Sequence, residues 1–281
     1  MSNDEYIQMR VQKHYDYLIS LGFNVVGVFA QGSMNYGLFE RSKEYQSDVD
    51  TKAIILPTLD DLICGNKMVS TKYDFEGEQI DVKDIRIMVD IWKQANPSYL
   101  EILFTKYKVI NPIYINFMQS ILDMGSEIAT MHPVQLARCI AGMSNQKLIA
   151  MEHPYPSIIH NIEKYGYDGK QVHHIIRLTW LITEIFCCDI PFGEAIDISY
   201  NKRLCQYLMN IKKYAYDTPE YHSLEWARAI AKQYDDDTQT IKEEVKAKLE
   251  DKLNSEIYQK LLDIVHPMVK YAIIKQIKET E

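Results

Sequence analysis

The hydrophobic positions change period partway along the chain. Asp4 to Leu21 carries apolar residues at helical spacing and is stopped by Gly22. Phe23 to Ala30 is then a nearly unbroken apolar run, the pattern of a buried strand. A second such run spans Val49 to Leu56, and Glu78 to Asp84 alternates as a strand does. Thr58-Leu59-Asp60-Asp61, after Pro57, has the composition of a capped short helix. Ile85 to Ala95 returns to helical spacing, with Asp84 as its cap and Asn96-Pro97 as its end. Beyond Met124-Gly125-Ser126 strand-like runs nearly vanish. Helical text covers Pro133 to Met151, Gly169 to Cys188, Lys202 to Tyr216 and a long stretch from Thr238 to Lys278. The expected class is α+β: a mixed-sheet domain over residues 1–125, then an all-helical domain over residues 126–281.

Chemistry concentrates where the strands end. The first buried run feeds Gly32-Ser33-Met34-Asn35-Tyr36-Gly37. A strand followed by a small-residue turn leaves backbone N–H groups free, and such a site favours phosphate. Ser47-Asp48-Val49-Asp50 opens the second run. Residues two apart on a strand point to the same side, so Asp48 and Asp50 present two carboxylates to one point. Asp81, flanked by aliphatic residues, reaches the same centre if its strand lies beside theirs. Carboxylate oxygens facing a phosphate cradle suit Mg²⁺ or Mn²⁺ rather than Zn²⁺. Asp81 has a second role open to it, as acceptor of a hydroxyl proton. A Gly-Ser pair alone is commonly only a turn, and Asp-x-Asp alone is common on solvated edges. Their order and spacing carry the reading.

Those motifs resemble the DNA polymerase beta nucleotidyltransferase superfamily, in which Gly-Ser precedes an Asp-x-Asp strand and a lone Asp lies on a later strand. More narrowly, Gly32-Ser33-x-x-Tyr36-Gly37-Leu38, Asn96-Pro97-x-x-Leu100-Glu101-Ile102-Leu103 and Lys170-x-x-x-His174-x-x-Arg177-Leu178 resemble bacterial and phage nucleotidyltransferases associated with RNA repair. The similarity runs from about Phe23 to about Leu178, and the C-terminal hundred residues carry none of it. Fourteen residues separate Ser33 from Asp48, a longer gap than the family pattern, with Arg41 to Gln46 as the extra loop. The resemblance implies an active site in a cleft between the two domains. It also implies transfer of a nucleoside monophosphate from an NTP to a hydroxyl, with release of pyrophosphate and RNA as the expected acceptor. Asp48, Asp50 and Asp81 would be the catalytic and metal-holding residues. Gly32, Ser33 and Tyr36 would contact the nucleotide. Nucleotidylation of a protein or small molecule, and a non-catalytic NTP-binding regulator, are the alternatives.

The helical half adds cations. Lys170, His174 and Arg177 lie at i, i+4 and i+7 and so share one helix face, opposite Val172, Ile175, Ile176 and Leu178. They are candidates for the nucleotide's phosphates, and Lys147 resembles the lysine that related helical domains direct at the nucleotide. A basic helix face is more often simply solvated. His173 is off this face and is taken as structural. Glu101 reads as a cap or structural ion pair more readily than as an acceptor contact. Asp235-Asp236-Asp237 reads as the acidic first turn of the last helix.

Composition sets outer limits. The 281 residues, 47% hydrophobic and 25% charged, suffice for one large or two ordinary globular domains. No apolar run approaches the roughly 20 residues that span a bilayer. The acidic N-terminus lacks the basic and apolar regions of a signal peptide. Five cysteines without metal-ligand spacing are expected to be buried free thiols of a cytoplasmic protein. The net charge of −8 argues against a strong general nucleic-acid binder. A local basic groove is compatible with it, and Lys106-Tyr107-Lys108 or Lys212-Lys213-Tyr214 could supply stacking and phosphate contact. Amphipathic Tyr and Lys at the core boundary is the commoner outcome.

Overall fold

A computed structural model describes residues 1–42, 45–214 and 223–280. In chain order the first elements are α1 (Asn3–Ser20), β1 (Val25–Ala30), β2 (Thr51–Ile55), α2 (Leu59–Ile63), β3 (Ser70–Phe75) and β4 (Glu78–Asp84). Then come α3 (Ile85–Lys93), α4 (Pro97–Leu100), β5 (Lys108–Ile110), α5 (Ile115–Asp123) and α6 (Gly125–Thr130). Helices α7 (Pro133–Ala150), α8 (Ile159–Tyr165), α9 (Gly169–Phe186), α10 (Phe192–Ala195), α11 (Lys202–Lys213) and α12 (Leu224–Lys248) follow, and α13 (Ser255–Thr280) ends the chain. Two compact units result. The first comprises residues 1–132 and 253–281, the second residues 133–252.

The sheet of the first unit runs β3-β4-β2-β1-β5 among the described residues. It is mixed: β2 and β4 are parallel, and the other pairs are antiparallel. The class is therefore α+β. Strands β1 and β2 are buried at every position, which is why their sequences run apolar instead of alternating. Register separates the faces. Val28, Ala30, Ala53, Ile55, Ile80 and Val82 share a core with Ile7, Val11 and Leu18 of α1. The opposite face carries Phe29, Lys52 and Asp81, which lie side by side on β1, β2 and β4.

Local signals end most elements where the sequence predicts. Gly22, at φ +84°, follows α1. Thr58 and Asp61 form a capping box on α2, Asp84 caps α3, and Asn96 caps α4 with Pro97 in its first turn. Strands β3 and β5 were not anticipated: β3 is largely exposed and β5 is three residues long, so neither shows a clear apolar run.

The C-terminal region departs from expectation. The long stretch from Thr238 is two helices, and α13 joins the first unit, so the division lies after His132 and not at residue 125. Leu261, Val265, Met268 and Ala272 of α13 are buried. Gln276 accepts the Leu59 N–H at 2.9 Å, and Tyr271 rings against Tyr114 and Phe117. Long-range apolar burial, invisible to a local pattern, decides this. Asp235-Asp236-Asp237 lies inside α12, not in a first turn. Lys43 and Glu44 of the expected loop, and the Ala215-Tyr216 end of the third expected helix, lie outside the described residues. The cysteines are free but not buried: Cys64, Cys187 and Cys188 are exposed, Cys139 and Cys205 partly so. Cys187 is the C-cap of α9. Among the described residues no helix is long and apolar enough to cross a membrane.

In the second unit α7, α9 and α12 pack against one another, and α11 packs on α9. The backbone approaches closely at Gly169, the first residue of α9, where an added Cβ would lie 2.4 Å from the carbonyl oxygen of Ile211. Gly142, in α7, faces open space. Gly169→Ala should destabilise the protein by about 1–3 kcal/mol, because a backbone atom cannot step aside. Gly142→Ala should be neutral or stabilise by up to about 1 kcal/mol. Urea unfolding of both variants checks the contrast.

Candidate active site

The Asp-Val-Asp segment sits immediately before β2 and is anchored from both sides. Glu78, the first residue of β4, accepts the Val49 N–H at 3.3 Å through Oε1. Its Oε2 accepts from Arg10 Nε at 2.7 Å and meets His14 Nε2 at 3.0 Å. The other ring nitrogen of His14 lies 2.9 Å from the Thr51 hydroxyl. Asp50 replies in the other direction, its Oδ1 accepting the Gln79 N–H at 2.9 Å. These bonds prolong the parallel β2–β4 ladder by side chains where backbone pairing has stopped.

The turn between β3 and β4 sets this geometry. Glu76 and Gly77 both have positive φ, 54° and 84°, the requirement of a tight two-residue hairpin. Only Gly77 adopts this without a Cβ penalty. Glu76 is held there by an Arg10 Nη1 hydrogen bond of 2.5 Å.

Asp48 is exposed, Asp50 half-buried and Asp81 buried. Strand β4 does lie beside β2, which brings Asp81 onto the sheet face expected for it, opposite Lys52. Yet Asp81 is already engaged: Lys83 Nζ donates to it at 2.7 Å and the Tyr99 hydroxyl at 2.5 Å. Burial, with Asp81 as proton acceptor, raises the Tyr99 phenol above its ordinary range. Among the described residues no three His, Cys, Asp or Glu side chains gather as a metal ion requires. Among the described residues Asp48, Asp50 and Asp81 thus do not stand as one three-carboxylate cluster, and Asp81 accepts from Lys83 and Tyr99. The donor chemistry of Asp48 and Asp50, hard oxygens with solvent access, still fits Mg²⁺ or Mn²⁺ with phosphate oxygens completing the shell.

Lys52 is a buried cation at the centre of this face, 4% exposed. Its ammonium donates to Gln31 Oε1 and lies 4.6 Å from the Tyr99 ring centroid. Burial pulls it below the usual lysine range, against the opposing influence of Glu101, Asp81 and Asp50. Sequence reading passed over it, although a lysine inside a buried apolar run is a signal in itself.

Gly32 and Ser33 begin a 3-10 turn directly after β1, with Gly32 at φ +77°. The Gly32 N–H is not open: Glu101 Oε1 accepts it at 3.1 Å. Glu101 is 2% exposed, and its Oε2 is buried without a hydrogen-bond partner. The Asn96-Pro97 motif thus delivers an internal carboxylate to the proposed phosphate cradle. A charged residue between Leu100 and Ile102 was the available hint. Ser33 remains half-exposed, while Tyr36 is buried at 7% exposure, a core ring and not an open stacking surface.

Lys147, Lys170, His174 and Arg177 all fall within the second unit and influence one another electrostatically. Lys170 is exposed and Lys147 and His174 partly so, whereas Arg177 is buried. Packing of α7 on α9 unites residues that sequence spacing could only partly relate. The sequence matches no protein-family model and no curated protein.

Burial raises the Glu78 carboxyl, but the hydrogen bonds from His14 and Arg10 outweigh it and hold the group below the usual glutamate range. A depressed carboxyl adds stability that is full above the unfolded value, about 4.3, and is lost as pH falls through the folded value. Glu78→Gln should therefore cost about 1.5–3 kcal/mol near neutrality, with the deficit shrinking below about pH 4. Urea unfolding of both proteins across pH gives the comparison.

Proposed function

We propose that the protein is a divalent-cation-dependent nucleotidyltransferase of the polymerase beta type. The observation that carries this reading is the segment leading into β2, in which Asp48 and Asp50 flank an anchored Val49, with Asp81 on the strand parallel to β2. The order of a helix, a strand, a Gly-Ser turn and an acidic segment leading into the antiparallel β2 supports this reading.

In this reading Asp48 and Asp50 hold the cation, which when bound neutralises developing charge on the phosphates. Gly32 and Ser33 contact the β- and γ-phosphates once Glu101 yields the Gly32 N–H. The acceptor hydroxyl attacks the α-phosphorus, the α–β anhydride bond breaks, and pyrophosphate leaves with the bonding pair. Asp81, oriented by Lys83 and Tyr99, takes the hydroxyl proton. Positioning supplies most of the rate. RNA is the acceptor we infer, with Lys147, Lys170, His174 and Arg177 as phosphate contacts. A cytoplasmic location accords with the free thiols.

A non-catalytic NTP-binding regulator is the second reading, favoured by the engagement of Asp81 and by Glu101 on the Gly32 amide. Incubation with each labelled NTP, Mg²⁺ and total RNA separates the two. Transfer should occur with Mg²⁺ or Mn²⁺ and should vanish in the double variant Asp48→Asn, Asp50→Asn. Asn at position 50 can still accept the Gln79 N–H, so the fold should persist by circular dichroism. Transfer that survives the double substitution, or that requires zinc, would sink the assignment. Mg²⁺-dependent NTP binding without turnover would establish the regulator.

A further inference from the structure

Helices α9, α11 and α12 of the second unit flank a cavity of about 420 Å³ that the transfer reading does not use. Its walls follow from helical spacing. Ile176, Thr179, Trp180 and Thr183 lie at i, i+3, i+4 and i+7 of α9 and form one stripe. Tyr234, Asp237 and Ile241 repeat that spacing on α12, joined by Thr240, and Leu204 comes from α11. Thr179 fastens α9 to α12, its hydroxyl lying 2.9 Å from the Tyr234 carbonyl oxygen and 2.7 Å from the Thr238 hydroxyl. Thr179 is buried, whereas Asp237 and Thr240 are exposed, so the cavity runs from a hydroxyl to a carboxylate at its mouth. Packed interiors leave few voids larger than a water molecule, and this volume is that of a small-molecule site.

These walls offer apolar surface and hydrogen-bond acceptors. Ile176, Leu204, Ile241 and the rings of Trp180 and Tyr234 supply the apolar part. Thr183 donates to the Thr179 carbonyl at 2.8 Å and Thr240 to the Asp236 carbonyl at 2.9 Å. Both hydroxyl protons are thereby committed, and what remains free is oxygen lone pairs. Asp237 forms no hydrogen bond or salt bridge among the described residues, whereas its neighbours Asp235 and Asp236 are engaged by Gln239 and Lys232. No Lys, Arg or His lines the cavity among the described residues. Trp180 Nε1, the N–H donor of the wall, is buried with no partner at bonding distance, and it acts on the Tyr200 phenol. An anion drawn to that N–H would meet Asp237 with no cation in the lining to offset it.

We propose that this cavity binds a small organic cation, an ammonium ion carrying an apolar or aromatic body. The body lies among Ile176, Leu204 and Ile241, where its burial drives binding. The ammonium takes the faces of Trp180 and Tyr234, the side chains best suited to hold a cation through their rings. Asp237 supplies the counter-charge, and the threonine oxygens accept N–H bonds from a primary or secondary amine. Specificity follows from the same lining: a carboxylate or phosphate ligand is repelled, and a neutral molecule leaves Asp237 unmatched. The site stands on residues of the second unit alone and does not rest on nucleotidyl transfer.

Titration of the full chain with 2-phenylethylammonium and with benzyltrimethylammonium, followed by the Trp180 indole N–H signal in ¹H–¹⁵N spectra, tests the site. Saturable shifts are expected with both. The neutral 2-phenylethanol should bind roughly ten-fold more weakly, and the anionic 3-phenylpropanoate more weakly still. Asp237→Asn should lower ammonium affinity about five-fold while leaving the alcohol unchanged, and Tyr234→Leu should lower it roughly ten-fold. Asp237 is exposed, so its variant decides the matter if Tyr234→Leu fails to fold. Absence of a saturable shift with both ammonium ions would overturn the site. Equal or tighter binding of the alcohol or the carboxylate would overturn it as well, as would unchanged ammonium affinity in folded Asp237→Asn protein. The double variant Asp48→Asn, Asp50→Asn should bind both ammonium ions normally, so a failure of nucleotidyl transfer leaves this site standing.

Discussion

The carboxylate of Glu78 accepts from a guanidinium, meets an imidazole and accepts a backbone N–H, and through these bonds it ties together α1, β4 and the segment leading into β2. A buried carboxylate stays ionised only when its lone pairs are satisfied. Each partner is therefore constrained as much as Glu78 is. Arg10 and His14 fix the rotation of α1 over the sheet, and Val49 fixes how far the acidic segment can drift from β4. Asp48 and Asp50 flank the anchored residue, and Asp50 adds its own bond to the Gln79 N–H. The hairpin that delivers Glu78 carries a non-glycine residue at positive φ, held by the same arginine. Local strain and the network thus support each other.

Charge on the sheet face of the first unit is paired internally. On the sheet face of the first, opposite signs alternate: Lys83 and Lys52 lie among Asp81, Asp50 and Glu101, with Tyr99 between them. Such a network is close to neutral internally, and one orphan carboxylate oxygen, Glu101 Oε2, marks where it is incomplete. In the second unit Lys147, Lys170, His174 and Arg177 influence one another electrostatically, while Asp168 caps α9. The first arrangement follows from the rule that a desolvated charge needs a counter-charge.

Much of the first unit was legible in the sequence because its signals are local. Apolar runs in β1 and β2, the caps at Thr58, Asp84 and Asn96, and the stop at Gly22 each depend on a few neighbouring residues. The candidate acids were legible too, since two-residue spacing before a strand and an acid inside an alternating strand are short-range patterns. Less visible were β3 and β5, whose lengths and exposure leave little periodicity. The break between α12 and α13, and the return of α13 to the first unit, depend on which distant surfaces bury Leu261 and Met268.

By itself the sequence determined α1, β1, β2, β4 and α3, the α+β class and the residues with chemistry to offer, because period, caps and side-chain type are properties of neighbouring positions. Tertiary structure alone decided what each of those residues meets. That Lys52 stands opposite Asp81, that Glu101 reaches the Gly32 amide, that Glu78 grips Val49, and that Lys147 joins the cations of α9 are consequences of strand register and helix packing across tens of residues. Charge pairing acts through space, and sequence distance does not encode it.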